Sequence, residues 1–104
     1  MLESVVFRAL ADPTRRAVFE RLSQQEMSVL ELKAGFRVSQ PAISQHLAAL
    51  KSAGLVCERR AGRHVFYRSA PEGLAPLADW VQRYRGLWPA RIEKLKRVLK
   101  EMEP

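Results

Sequence analysis

The stretch Val38-Ser39-Gln40-Pro41-Ala42-Ile43-Ser44-Gln45-His46-Leu47, running on to Leu50, Gly54 and Leu55, decides how this chain folds. Ile43, Leu47 and Leu50 recur at helical spacing and form one apolar stripe, while Gln40, Ser44, Gln45 and Lys51 fall on the other side. Ser39 suits an N-cap, and Pro41 lies in the first turn, where its missing N–H costs nothing. The spacing predicts a helix from Ser39 to about Ala53 that buries one face and turns short, neutral hydrogen-bonding groups outward. Such a face suits the edges of bases.

Working back from this helix, Ser28 can cap a short helix from Val29 to Ala34, which Gly35 ends in a left-handed conformation. Residues 28–53 then read as a short helix, a tight glycine-containing connection and an exposed second helix, the helix-turn-helix arrangement. Further upstream, Leu2, Val5, Val6, Ala9 and Leu10 mark a first helix. Asp12 caps a second that opens at Pro13, buries Ala17, Val18 and Leu22, and ends near Ser23-Gln24-Gln25.

Beyond Gly54 the period becomes extended. Leu55 to Arg60, a turn at Ala61-Gly62, and Arg63 to Ser69 predict a β-hairpin over residues 55–69, with Gly62 supplying a positive φ. Arg59, Arg60, Arg63, His64 and Arg68 crowd its tip and flanks, the composition of a basic wing set against phosphate, with Arg60 and Arg63 the leading pair. From Pro71 to Met102 a long terminal helix is expected, carrying Leu77, Val81, Tyr84, Trp88, Leu95, Val98 and Met102 at intervals of three and four. Pro89 should kink or restart it. That seam exceeds what one small core can bury. Leu2, Val5, Val6, Leu77, Val81, Tyr84, Trp88 and Leu95 are therefore the expected contacts of a homodimer.

The 104 residues amount to one domain with a modest core, mainly α with one β-hairpin: four helices, the hairpin and the terminal helix in a winged helix-turn-helix order. Eighteen Lys and Arg against 11 Asp and Glu give a net charge of +7, which favours a polyanionic partner. The single Cys57 forbids an intrachain disulfide and reads as a small, buried apolar residue. No signal peptide and no run of about 20 apolar residues is visible, so a cytoplasmic chain without a membrane segment is expected.

With Leu10-Ala11-Asp12-Pro13-Thr14-Arg15, the Val38 to Leu47 run, Gly54-Leu55-Val56 and Arg60-Ala61-Gly62-Arg63 in that order, the chain resembles the ArsR family. The resemblance implies a homodimeric winged helix-turn-helix repressor whose partner is double-stranded operator DNA, with repression relieved by a signal. It places Ser39, Gln40, Pro41, Ser44, Gln45 and His46 against DNA and makes Arg59 to His64 the wing. Metal sensors of the family carry a Cys-x-Cys pair on the helix before the recognition helix. Here Glu26-Met27-Ser28-Val29-Leu30-Glu31-Leu32 puts Ser28 and Leu30 in those slots, and neither binds a soft metal. Asp79 stands on the last helix without a histidine, and His46 and His64 lie eighteen positions apart. No metal and no cofactor is expected; a small-molecule inducer, with Trp80, Tyr84 and Trp88 as walls of its pocket, remains open.

Catalysis is not expected either. The chain has no Gly-rich phosphate loop, no glycine-flanked nucleophilic serine and no carboxylate pair beside a histidine. Two other classes stand beside the sequence-specific regulator: a winged-helix module that works through protein contacts, and a sequence-independent nucleic-acid binder.

Overall fold

The computed structural model describes residues 2–85 and 89–102. Helices α1 (Leu2–Ala11), α2 (Pro13–Gln24), α3 (Val29–Ala34) and α4 (Gln40–Ser52) precede strands β1 (Val56–Ala61) and β2 (His64–Ser69). A 3-10 turn (Pro71–Leu74) leads into α5 (Ala75–Arg85), and α6 (Pro89–Glu101) follows. The expected terminal helix over 71–102 is thus a turn and two helices, with Pro89 opening the second, a position that needs no N–H.

Three helix starts are fixed by side chains. Asp12 accepts a hydrogen bond from the Arg15 N–H at 2.9 Å, and Ser39 accepts one from Ala42 at 3.2 Å. Ser28 and Glu31 form a reciprocal capping box, which specifies the short α3. Gly35 ends α3 with φ −95°, not in the expected left-handed region. The Arg21 guanidinium passes beside it and lies over the Phe36 ring at 5.9 Å.

The core joins α1, α2, α3, α4 and the root of the hairpin. Val18, Ile43, Leu50 and Leu55 are fully buried, and Leu32 and Leu47 nearly so. Each such side chain contributes about 1.5 to 3 kcal/mol by leaving water. Phe19 also joins the core, beside Val18 and Leu22, whereas Ala17 is only half-buried. Gly54 (φ 76°) lets the chain turn out of α4 so that Leu55 drops into the core; the Leu55 N–H bonds the Leu50 carbonyl at 2.9 Å.

The hairpin is antiparallel with Ala61 opposite His64 and Val56 opposite Ser69. Its turn is Gly62-Arg63, one residue later than expected, because Gly62 (φ 63°) takes the first central position while Arg63 keeps a negative φ. That is the pattern of a two-residue type II′ turn, which demands glycine there. Met27 extends the pairing beside β2: its N–H donates to the Tyr67 carbonyl at 3.0 Å, and the Tyr67 N–H returns a bond at 2.8 Å.

Candidate nucleic-acid interface

Helix α4 separates two chemistries. Ile43, Leu47 and Leu50 hold it to the core, while Ser39, Gln40, Pro41, Ser44 and Gln45 are exposed, as is Ala48 one turn beyond Ser44. The exposed groups are uncharged amides and hydroxyls with free donors and acceptors. His46 stands apart from them. It is half-buried at the border of the apolar stripe, its Nδ1 is enclosed without a hydrogen-bond partner, and it lies near enough to Asp12 to help lower that carboxyl. The main cause of the Asp12 shift is the Arg15 backbone N–H. Arg37, exposed two positions before the Ser39 cap, adds a cation at the start of α4. Read in sequence as part of the connection, it was signalled only by its nearness to the cap.

In the wing, strand alternation divides the basic residues. Arg59 pairs across the strands with Phe66 and stacks its guanidinium over that ring at 5.2 Å. It also grips Glu26 with two hydrogen bonds, Nη2 to Oε1 at 2.6 Å and Nε to Oε2 at 3.3 Å. This guanidinium holds the Glu26 carboxyl below the usual carboxylate range. Of the four wing residues expected at phosphate, Arg59 is thus engaged within the chain; Arg60, Arg63 and His64 are exposed and have no ion-pair partner among the described residues.

Lys51 is engaged too. Its Nζ donates to Glu58 Oε1 at 2.8 Å, tying the end of α4 to β1. The pairing raises the lysine and lowers the glutamate. Burial, with Glu58 nearby, pushes the Tyr67 phenol up. Cys57 is half-buried opposite Arg68, on the face of the hairpin that carries Arg59.

The expected dimer contacts fall into three groups. Leu2, Val5, Val81, Tyr84 and Leu95 expose large apolar surface on α1, α5 and α6. Val6 does not: at 2 % accessibility it belongs to the chain's own core and has nothing left to offer a partner, and Leu77 is partly buried against the same core. Trp88 lies outside the described residues. Trp80 is stacked between Phe7, edge-on at 5.1 Å, and Tyr84 at 4.8 Å, and so joins α5 to α1. An open groove of about 570 Å³ does lie between α1 and α5, lined by Leu2, Glu3, Ala75, Pro76, Asp79 and Arg83. Among the described residues no group of three His, Cys, Asp or Glu side chains comes together, and no helix is long and apolar enough to cross a membrane.

A capped, two-faced helix standing beside a basic hairpin defines the class: a winged helix-turn-helix protein that binds DNA. Residues 10–59 match the family described as a helix-turn-helix domain. The chain is 49 % identical over 78 residues to the HTH-type transcriptional regulator Rv2034 of Mycobacterium tuberculosis, covering 75 % of this chain and 73 % of that protein. It is 33 % identical over 76 residues to the transcriptional repressor SdpR of Bacillus subtilis, covering 73 % and 84 %. The solved ArsR-like transcriptional regulator from a Rhodococcus species superposes with a TM-score of 0.75 at 32 % identity, over 93 % of this chain and 92 % of that one. Several further relatives are longer, and the chain spans 48 % to 65 % of their length. The chain belongs to the ArsR family of winged helix-turn-helix regulators and is a DNA-binding transcriptional repressor.

Proposed function

We propose that the protein represses transcription as a homodimer, its two α4 helices entering successive major grooves of a pseudo-palindromic operator while the wing tips grip the flanking backbone. The observation that carries this reading is the division of α4: three anchors, Ile43, Leu47 and Leu50, with no more than 1 % accessibility, behind an exposed, uncharged row of Ser39, Gln40, Ser44 and Gln45. A rigidly seated helix presents those amides at a fixed height above a base pair, where Gln40 and Gln45 can each offer a paired donor and acceptor to adenine. Arg60 and Arg63 supply affinity without sequence preference.

The exposed apolar residues of α1 and α5 support the dimer. Leu2 is 71 % and Val81 49 % accessible, and together with Val5, Phe7 and Tyr84 they form a surface of the kind that self-complementary contacts cover. The dyad would set half-sites about one helical turn apart. Selecting bound fragments from the genome of origin and mapping the protected bases tests the reading. Two-fold related half-sites at that spacing are expected; protection of a single unrepeated site would overturn it.

A further inference from the structure

A cleft of about 230 Å³ separates the end of α4 from α1, with Arg15 of α2 at its side. Small side chains leave it open: Ala9 on α1, and Ala49 and Ala53 at the end of α4. Close-packed interiors hold few voids larger than a water molecule, so a space of this size behind the reading helix has room for a ligand. Sites for drug-sized molecules start at about 300 Å³, so the occupant is smaller than that. The cleft is separate from the aromatic stack of Phe7, Trp80 and Tyr84.

The charges that line it are of one sign. Arg8 and Arg15 border the cleft with Ser52, and no carboxylate does. Neither arginine has an ion-pair partner among the described residues. The Arg15 Nε is enclosed and has no hydrogen-bond partner, and a buried donor left in that state points to a partner the chain does not supply. Asp12 stands beside Arg15, but its carboxylate accepts the backbone N–H at 2.9 Å and not the guanidinium. The neighbouring cations are used elsewhere: Arg16 donates to the Leu10 carbonyl at 2.9 Å, and Lys51 pairs with Glu58. Two guanidinium groups against the carboxylate of Asp12 leave a single positive charge in excess. The other walls, Val5, Ala9, Ala49 and Ala53, are apolar. A monoanion with a compact apolar body meets both conditions. Arginine sets its N–H groups side by side at the spacing of carboxylate oxygens, whereas phosphate brings a second charge and leaves the apolar walls uncovered.

We infer that this cleft binds a small organic monocarboxylate, held by Arg8 and Arg15 with its apolar body against the alanines, and that its occupancy is coupled to operator affinity. The coupling, though not the site, rests on the function proposed above. An occupant touches α1, where the exposed Val5 belongs to the proposed dimer surface, and also the end of α4, whose first turns present Gln40 and Ser44. A ligand that spans both elements sets their separation. By linkage, the factor by which it changes operator affinity is the factor by which operator changes its own.

The test titrates the isotopically labelled full chain, without DNA, with acetate, hexanoate, benzoate and phenylacetate, and with benzamide and inorganic phosphate as controls. Nuclear magnetic resonance is expected to show saturable shifts of the Arg15 Nε–H and of the Ala49, Ser52 and Ala53 amides with at least one of the larger acids. Benzamide should give none. Arg8→Gln, at an exposed side chain, should weaken that binding roughly five- to tenfold with the melting temperature unchanged, and Arg15→Lys, which keeps the charge but loses the fork, should weaken it as well. No saturable shift with any of the acids up to about 20 mM, or equal shifts with benzamide, would overturn the site. Shifts with inorganic phosphate alone would assign these arginines to nucleic-acid phosphate and overturn it equally. Anisotropy on a selected genomic duplex reads the coupling: saturating acid should change operator affinity roughly threefold or more in the parent chain and much less in Arg8→Gln. An unchanged affinity in the parent would refute the coupling alone. A chain that shows the shifts but binds no duplex would refute the function proposed above and leave the site standing.

Discussion

Arg59 is bound to Glu26: the wing's first arginine closes a two-pronged ion pair, 2.6 Å at its shorter arm, with the loop between α2 and α3. Beside it, Met27 pairs its backbone with Tyr67, so the hairpin is fastened to the body by a side chain and by main chain at adjacent points. Arg59 therefore ties the wing to the body, and the exposed Arg60 and Arg63 are left for the proposed contact with phosphate. The expected consequence is unequal salt behaviour. Arg63→Ala should weaken binding to all duplexes alike and lower the slope of log affinity against log salt by about 1, whereas Arg59→Ala should leave that slope nearly unchanged. Anisotropy titrations over a salt series measure both; equal loss of slope would place Arg59 on the DNA.

Gln45 should behave differently from either arginine. Gln45→Ala removes a donor and acceptor from the exposed face of α4 without touching the core anchors. Discrimination between operator and random duplex should fall by about 1 to 3 kcal/mol while binding to random duplex stays constant. Competition with unlabelled random DNA reads the difference; equal weakening on both duplexes would mean that Gln45 contacts no base.

The seating of α4 depends on a glycine far along the chain. Gly73 in the 3-10 turn lies against the backbone of Gly54, so a Cβ would be driven onto the Gly54 carbonyl and close to Leu55 Cα, at 3.3 Å. Backbone cannot swing aside as a side chain can. Gly73→Ala should destabilise the protein by roughly 2 kcal/mol or more and shift the urea midpoint accordingly. An unchanged midpoint would show that the turn yields freely. For comparison, Ser39→Ala should cost about 1 kcal/mol through loss of the cap alone.

Much of this architecture was legible in the chain because the signals are local. Ser28, Asp12 with Pro13, and Ser39 with Pro41 place three helix starts through local signals, and the structure keeps all three, adding Glu31 as the second half of a capping box with Ser28. What escaped depends on the third dimension. Nothing near Glu26 in sequence points to Arg59, thirty-three positions away. Gly35 was read as a left-handed terminator, but it ends α3 at φ −95°, its N–H closing a last tight turn onto the Leu32 carbonyl at 3.0 Å. Val6 looked like an interface residue because helical spacing alone cannot tell which of two apolar neighbours turns inward; the chain's own core takes in Val6 and leaves Val5 outside. His46 followed the family pattern onto the DNA face, yet one position around the helix from Gln45 brings it to the core border.

The wing ties also predict a pH dependence. Asp12, Glu26 and Glu58 are all held below their ordinary values, by the Arg15 N–H, by Arg59 and by Lys51 respectively. For a carboxylate lowered in the fold, the stabilising contribution is complete above its unfolded value and is lost as pH falls through the folded one. Lys51 is raised by Glu58, so its contribution holds below the ordinary lysine value and disappears as pH climbs through the raised one. The melting temperature should therefore drop as pH falls below about 4, and Glu26→Gln with Glu58→Gln should make that acid limb shallower. An acid limb of unchanged steepness in the double variant would show that the ties do not titrate with folding.

Two copies of this chain are proposed to read one operator through α4. The most direct test is the stoichiometry and symmetry of the complex on a selected genomic duplex, measured by sedimentation at increasing protein and by base-resolved protection. Two chains per duplex are expected, with protection in two inverted half-sites about one helical turn apart and lost when either half-site is scrambled. One chain per duplex, or equal affinity for the scrambled sequence, would contradict it.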